Sequence, residues 1–298
     1  MGSALNKRLQ EESSDLIILP ATRKEADLFS YNETKKLIDD FKPNLIINAA
    51  AKVGGILSNN ENRMEFILEN LKINMNILES VKENNKIKIV NLGSSCIYPL
   101  GVENPINETA LMSGKLEPTN SPYAMAKLAA IEMGDAMNKQ FGHTIINLMP
   151  TNLYGPNDNF SENDSHVIPG LIARMQNSKT KGDKTFNVWG TGKPLREFLH
   201  SYDLADAIWF IVKNDIEEKL INIGSGSEIS IKDLVKIIQK TIGFNGDIKF
   251  DTTKPDGNPR KLLDSSKIFE HGWKPKINLK DGLESTYDWY LNNYIIKK

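Results

Sequence analysis

Four short, almost wholly apolar runs recur along the first half of this 298-residue chain: Leu16-Ile17-Ile18-Leu19, Leu45-Ile46-Ile47-Asn48, Ile87-Lys88-Ile89-Val90-Asn91-Leu92 and Ile145-Ile146-Asn147-Leu148-Met149. A strand with one wet face alternates polar and apolar residues, whereas a run that is apolar throughout needs cover on both faces. The segments between them, Tyr31 to Phe41, Met64 to Glu83 and Pro122 to Phe141, are each long enough for a crossover helix. Together they predict an α/β fold with a doubly wound parallel sheet. After Pro156 the texture changes: Asn, Asp, Ser and Gly concentrate, and the elements shorten. The expected division is a doubly wound domain over 1–156 and a smaller substrate-binding lobe over 157–298, some of whose segments return to the first part. Ser230 caps a helix running through Ile242, and a final helix is expected near Leu283 to Tyr294.

Charge and cysteine content narrow the function classes. The 37 basic and 38 acidic residues leave a formal net charge of −1, so no global field recruits nucleic acid or an anionic membrane. A single cysteine excludes an internal disulfide and makes a reducing, cytoplasmic setting the default expectation, with Cys96 a free thiol. No apolar run is long enough to span a bilayer.

Chemistry concentrates after the third apolar run. Gly93-Ser94-Ser95-Cys96 follows it, at the carboxyl end of a predicted strand where open α/β sheets bind ligands. Downstream, Tyr123-Ala124-Met125-Ala126-Lys127 sets a lysine one helical turn from a tyrosine, so both share a helix face. A nearby ammonium is expected to favour the ionised tyrosine and bring it toward the working range of a proton-transfer group. A solvated surface pair has the same spacing, so the pair gains meaning only with further motifs.

Those motifs are Asn48-Ala-Ala-Ala-Lys52-Val-Gly-Gly55, Gly93-Ser-Ser-Cys-Ile-Tyr-Pro99, Glu117-Pro-Thr-Asn-Ser-Pro-Tyr123, Met149-Pro-Thr-Asn-Leu-Tyr-Gly-Pro156, Ser165-His-Val-Ile-Pro169, Arg196-Glu-Phe-Leu-His200 and Lys254-Pro-Asp-Gly-Asn-Pro-Arg-Lys-Leu-Leu-Asp264, in this order. From Gly2 to about Asn292 the chain closely resembles the epimerase-reductases of the extended short-chain dehydrogenase/reductase family that act on GDP-4-keto-6-deoxymannose. The resemblance implies a Rossmann-type domain, NADP(H) as cofactor, a GDP-sugar substrate, and 3,5-epimerisation with 4-reduction to GDP-L-fucose. Another keto-sugar-nucleotide epimerase or reductase, or a cofactor-free remnant acting only as a binding protein, stands as the alternative.

Residue roles follow from the resemblance. Ser94 and Tyr123 act on the C4 oxygen, Lys127 holds the nicotinamide ribose, and Cys96 and His166 are the base and acid that invert C3 and C5. Gly2, Leu28, Ala49, Ala50, Ala51, Leu92, Gly93, Ser95, Pro150, Thr151, Asn152 and Leu153 line the cofactor. Arg23 and Lys24 stand where a cation meets the 2′-phosphate of NADP. Arg174, Trp189, Arg196 and Asp256 match substrate contacts; each also has an ordinary reading as a surface arginine, core tryptophan, ion-pair partner or turn aspartate.

At its start the chain departs from the family. Met1-Gly2-Ser3-Ala4-Leu5 matches only the tail of a glycine-rich phosphate turn and the helix after it, and the strand before that turn is absent. A late start codon or a truncation is the expectation, with gene decay second, and either puts phosphate binding in question. On the helix from Met64 to Val81, a core stripe at Met64, Leu68, Leu71, Met75 and Leu78 is expected, with Phe66, Ile73 and Ile77 on a second buried surface. In the family that helix pairs across a two-fold axis, so a homodimer is expected.

Overall fold

A computed structural model describes residues 1–12, 15–161, 164–254 and 256–295. Ten helices and ten strands are found among them. The helices are α1 (Gly2–Gln10), α2 (Tyr31–Phe41), α3 (Ile56–Glu61), α4 (Arg63–Val81), α5 (Ser121–Phe141), α6 (Val167–Lys181), α7 (Ser201–Lys213), α8 (Ile231–Ile242), α9 (Ser266–Glu270) and α10 (Leu279–Tyr290). The strands are β1 (Leu45–Asn48), β2 (Lys88–Leu92), β3 (Ile145–Pro150), β4 (Asn152–Tyr154), β5 (Thr185–Trp189), β6 (Leu195–His200), β7 (Leu220–Ile223), β8 (Glu228–Ser230), β9 (Asp247–Asp251) and β10 (Arg260–Lys261).

The main sheet is wholly parallel in the order β1-β2-β3-β7. Successive residues of β2 serve opposite faces: Ile89 packs with Leu78, Val81 and Met137 of α4 and α5, while Val90 packs with Leu5, Leu204 and Ile208 of α1 and α7. Two-sided burial is why these runs read as continuously apolar. β1, β2 and β3 each also carry an asparagine, and the register Asn48↔Asn91↔Asn147 stacks them. Asn48 Nδ2 donates to Asn91 Oδ1, and Asn91 Nδ2 to Asn147 Oδ1, both at 3.1 Å. This amide ladder satisfies three buried polar side chains inside the sheet.

Leu16–Leu19 does not form the strand its pattern predicts. Among the described residues the segment has no ladder partner, and Ile17 is 88% exposed. A parallel strand needs a neighbour to take its backbone hydrogen bonds. None of the described strands pairs with it, since the main sheet ends at β1.

The expected core stripe on α4 is kept at Leu78 and lost at Met64, Leu68 and Met75. Phe66, Ile73, Ile77, Leu78 and Val81 are buried with Asn70 and Asn74, whereas Met64, Leu68 and Met75 are exposed. The two asparagines conceal the core face from a hydropathy pattern. Both are nonetheless paired: Asn70 Nδ2 donates to Phe66 O at 2.7 Å and Lys52 O at 3.0 Å, and Asn74 Oδ1 accepts from Asn48.

The smaller layer is built from β10-β6-β4, with β8 antiparallel to β6, and from the parallel pair β5-β9. Its core joins Tyr154 and Phe160 to Leu171 and Ile172 of α6, Leu234 and Ile238 of α8, and Leu283 and Tyr287 of α10. Ser230 caps α8 by accepting from Asp233 N at 3.0 Å. The last helix starts earlier than expected because Asn278 caps it, accepting from Asp281 N at 3.0 Å; it then closes in a π turn, Leu291–Ile295.

Candidate active site

The site forms where β2 ends. A Cβ on Gly93 would lie 2.5 Å from Met149 Sδ and 3.3 Å from Leu148 O, so a side chain here would have to displace the end of Met149 where the chain leaves the sheet beside β3. It then enters a 3-10 turn over Ser95–Ile97, with Ser94 Oγ accepting from Cys96 N at 3.2 Å. α5 begins with Pro122 in its first turn and presents Tyr123 and Lys127 toward this turn, both buried. Phe66 of α4 holds the Tyr123 ring edge to face, centroids 6.3 Å apart.

Electrostatics here differ from the sequence expectation. Burial pushes the Tyr123 phenol well above its ordinary value; a charge on Cys96 adds to the rise and a hydrogen bond with Ser94 opposes it. Lys127 does not bring it toward neutrality. Its own ammonium is pushed down by burial to about 8 and donates a hydrogen bond to Leu92 O at 2.8 Å. Both groups are desolvated in one place, and burial is the leading cause of each shift. Tyr123 is thus a protonated donor at neutral pH.

Cys96 is half-buried, and Lys261 Nζ lies 3.7 Å from its Sγ. His166 stands at the amino end of α6 with an exposed ring, and no hydrogen bond joins it to Ser94, Cys96 or Tyr123 among the described residues. The loop before α6 approaches the β1–α3 loop closely, since a Cβ on Gly55 would stand 3.0 Å from Ser165 O.

The residues expected to line a dinucleotide gather along the carboxyl edge of the sheet. Ala49, Ala50 and Ala51 are half-buried after β1, with Ala50 N donating to Asn48 Oδ1 at 3.1 Å. Leu92, Gly93 and Ser95 are buried at the end of β2, and Pro150 ends β3. Thr151 Oγ1 and Asn152 Nδ2 donate to Glu197 O at 3.2 and 2.9 Å, and Leu153 is half-buried beside them. Leu28 is half-buried, its carbonyl accepting from Asn76 Nδ2 at 2.8 Å. Arg23 and Lys24 are exposed in the preceding turn. Gly2 begins α1, whose amino end has no side-chain cap, and a Cβ there would meet nothing within 4 Å.

In the smaller lobe Trp189 is 64% exposed, with Arg174 and Lys254 each 6.0 Å from its ring. It is therefore a surface platform rather than a core tryptophan. Burial lowers the Arg196 guanidinium from its ordinary value and the Asp256 charge opposes that shift. Asp256 is already engaged: its carboxylate accepts from Thr191 N at 2.8 Å and Thr191 Oγ1 at 2.6 Å, locking the turn after Trp189. Pro255, in the same motif, lies outside the described residues.

The sequence reading missed Lys261 and Phe66. Lys261 lies within the Lys254 to Asp264 motif, but nothing in the spacing says that it meets Cys96. Phe66 is assigned there to a surface away from the core.

A hydroxyl, a buried tyrosine and a buried lysine at the carboxyl edge of a doubly wound parallel sheet, beside a lobe carrying cations and an open indole, define a short-chain dehydrogenase/reductase of the extended type. The chain belongs to the NAD dependent epimerase/dehydratase family, whose profile matches residues 1–224. It is 47% identical to GDP-L-fucose synthase 1 of Arabidopsis thaliana over 293 residues, covering 98% of this chain and 90% of that protein. Among solved structures, a GDP-6-OMe-4-keto-L-xylo-heptose reductase from C. jejuni superposes with a TM-score of 0.90 at 33% identity, over 98% of this chain and 94% of that one. A GDP-L-fucose synthetase from Naegleria fowleri bound to NADP gives 0.89 at 28% identity, over 99% and 91%.

Proposed function

We propose that this protein converts GDP-4-keto-6-deoxy-D-mannose to GDP-L-fucose by 3,5-epimerisation followed by NADPH-dependent 4-reduction. The observation that carries the reading is the convergence of Ser94, Cys96, Tyr123 and Lys127 on one strand end, within a chain so similar to GDP-L-fucose synthases over nearly its whole length.

A ketone at C4 acidifies the hydrogens on C3 and C5. Cys96 removes them as base, and His166 returns protons as acid. Ser94 and Tyr123 hydrogen-bond the C4 oxygen while it carries enolate charge. NADP(H), when bound, supplies the hydride that reduces C4. Tyr123, kept protonated by its burial, then gives its proton to the C4 oxygen. Lys127 orients the ribose beside the nicotinamide. Gly2 at the uncapped end of α1 and the exposed Arg23 and Lys24 suit a phosphorylated dinucleotide, with Leu28, Ala49 to Ala51 and Pro150 to Leu153 along its length. Arg174, Arg196 and Trp189 bind the diphosphate and base; Asp256 serves by holding the turn beside Trp189.

The division of labour follows the sheet: residues 1–156 hold the dinucleotide and residues 157–298 chiefly the sugar nucleotide. The exposed Met64, Leu68 and Met75 on α4 and Met125 on α5 support a homodimer across these helices. Among the described residues no helix is long and apolar enough to cross a membrane. The single free cysteine supports a reducing cytoplasmic location. The test is incubation with GDP-4-keto-6-deoxymannose and NADPH: a 4-reduced L-sugar nucleotide is the expected product, and a D-configured or unreduced product overturns the reading.

A further inference from the structure

The environment of Cys96 contains a cation that the scheme above does not use. Lys261 Nζ lies 3.7 Å from Cys96 Sγ, its one hydrogen-bond partner among the described residues. Its placement is set by the backbone. β10 runs parallel to β6 in the register Lys261↔Arg196, so the two cations leave neighbouring strands on the same side.

The short strand is pinned along both edges. Leu195 N donates to Pro259 O at 2.9 Å and Ile106 N to Leu262 O at 2.8 Å. Leu262 N donates to Asn104 Oδ1 at 2.8 Å, and Leu263 N to the carboxylate of the fully buried Glu197 at 3.1 Å. An ordinary surface lysine gives up much freedom to hold one geometry; this one starts from a fixed backbone.

We propose that Lys261 is a positioning residue for epimerisation, holding the Cys96 sulfur as a thiolate aimed at the sugar carbon it deprotonates. The proposal rests on the assignment of Cys96 as base. The thiolate is the reactive form of cysteine, and an adjacent ammonium favours it. In the step, a sulfur lone pair takes the proton from C3 or C5. The C–H electron pair becomes the enolate C–C π bond, and the carbonyl π pair moves onto the C4 oxygen. Sulfur ends as thiol and Lys261 keeps its protons. Protonation of the carbon from the opposite face completes inversion, and the thiol returns its proton to water.

Cys96 is the chain's only cysteine, so iodoacetamide reports on it alone in the intact protein without substrate. At neutral pH, Lys261→Met is expected to slow alkylation about 10–100-fold, the scale of one charge-assisted hydrogen bond, and Lys261→Arg to restore most of the rate. In turnover, Lys261→Met is expected to release 4-reduced sugar lacking inversion at C3 and C5, with GDP binding retained by calorimetry. An unchanged alkylation rate in Lys261→Met overturns the proposal and leaves Cys96 as base untouched. Loss of GDP binding with unchanged alkylation overturns it too, by assigning Lys261 to the diphosphate. Full solvent exchange at C3 and C5 by Cys96→Ser removes the base itself, a separate failure that the alkylation rates do not share.

Discussion

Lys127 Nζ donates a 2.8 Å hydrogen bond to the carbonyl oxygen of Leu92, tying the helix that carries Tyr123 to the last residue of β2. Lys127 is only 2% exposed, and burial pushes its ammonium down to about 8. A lysine depressed in the folded state binds fewer protons than in the unfolded chain between about 8 and its ordinary value of 10.5. The penalty is therefore full below about pH 8 and is relieved as pH rises toward 10.5. At 1.36 kcal/mol per unit it amounts to about 3 kcal/mol. Urea unfolding of wild type and Lys127→Met at pH 7 and pH 10 checks this: the stability of the wild type should rise relative to the variant by about that amount. An equal difference at both pH values would mean that Lys127 pays no charging penalty.

Tyr123→Phe keeps the ring against Phe66 and removes the proton that must accompany reduction at C4. Reduction should fall about 10²–10⁴-fold, the usual cost of a lost general acid. NADPH affinity, measured by fluorescence titration, should change little. A variant reducing the 4-keto sugar at near wild-type rate would take Tyr123 out of the mechanism.

The parallel sheet was legible because its strands are covered on both faces, and three of the four runs became β1, β2 and β3. Leu16–Leu19 carries the same signal, but ladder bonds need a neighbouring strand and a local pattern does not report one. On α4, buried Asn70 and Asn74 interrupt the apolar pattern, so the face with Phe66, Ile73 and Ile77 reads as a second buried surface instead of the core face. Motif order located Ser94, Cys96, Tyr123 and Lys127. The balance of burial against charge at Tyr123, and the meeting of Lys261 with Cys96 across 165 residues of chain, depend on three-dimensional packing that spacing does not encode.

The corrected stripe on α4 gives opposite expectations for neighbouring substitutions. Phe66→Ala should cost about 3–5 kcal/mol, because Phe66 is 1% exposed and its loss leaves a cavity beside Tyr123. Met64→Glu or Leu68→Glu should leave the melting temperature of the isolated subunit nearly unchanged while converting a dimer to monomer in sedimentation velocity. A monomeric wild type at micromolar concentration would remove the proposed dimer.

One measurement reaches the central claim that a single site both inverts and reduces. GDP-4-keto-6-deoxymannose and NADPH are supplied in D2O to wild type, Cys96→Ser and His166→Asn, and deuterium at C3 and C5 of the product is read by NMR. The account predicts deuterium at both carbons of an L-sugar from wild type. From Cys96→Ser it predicts 4-reduced sugar without deuterium at either carbon, and from His166→Asn no inverted product. Complete deuteration at both carbons by the Cys96→Ser variant would contradict it.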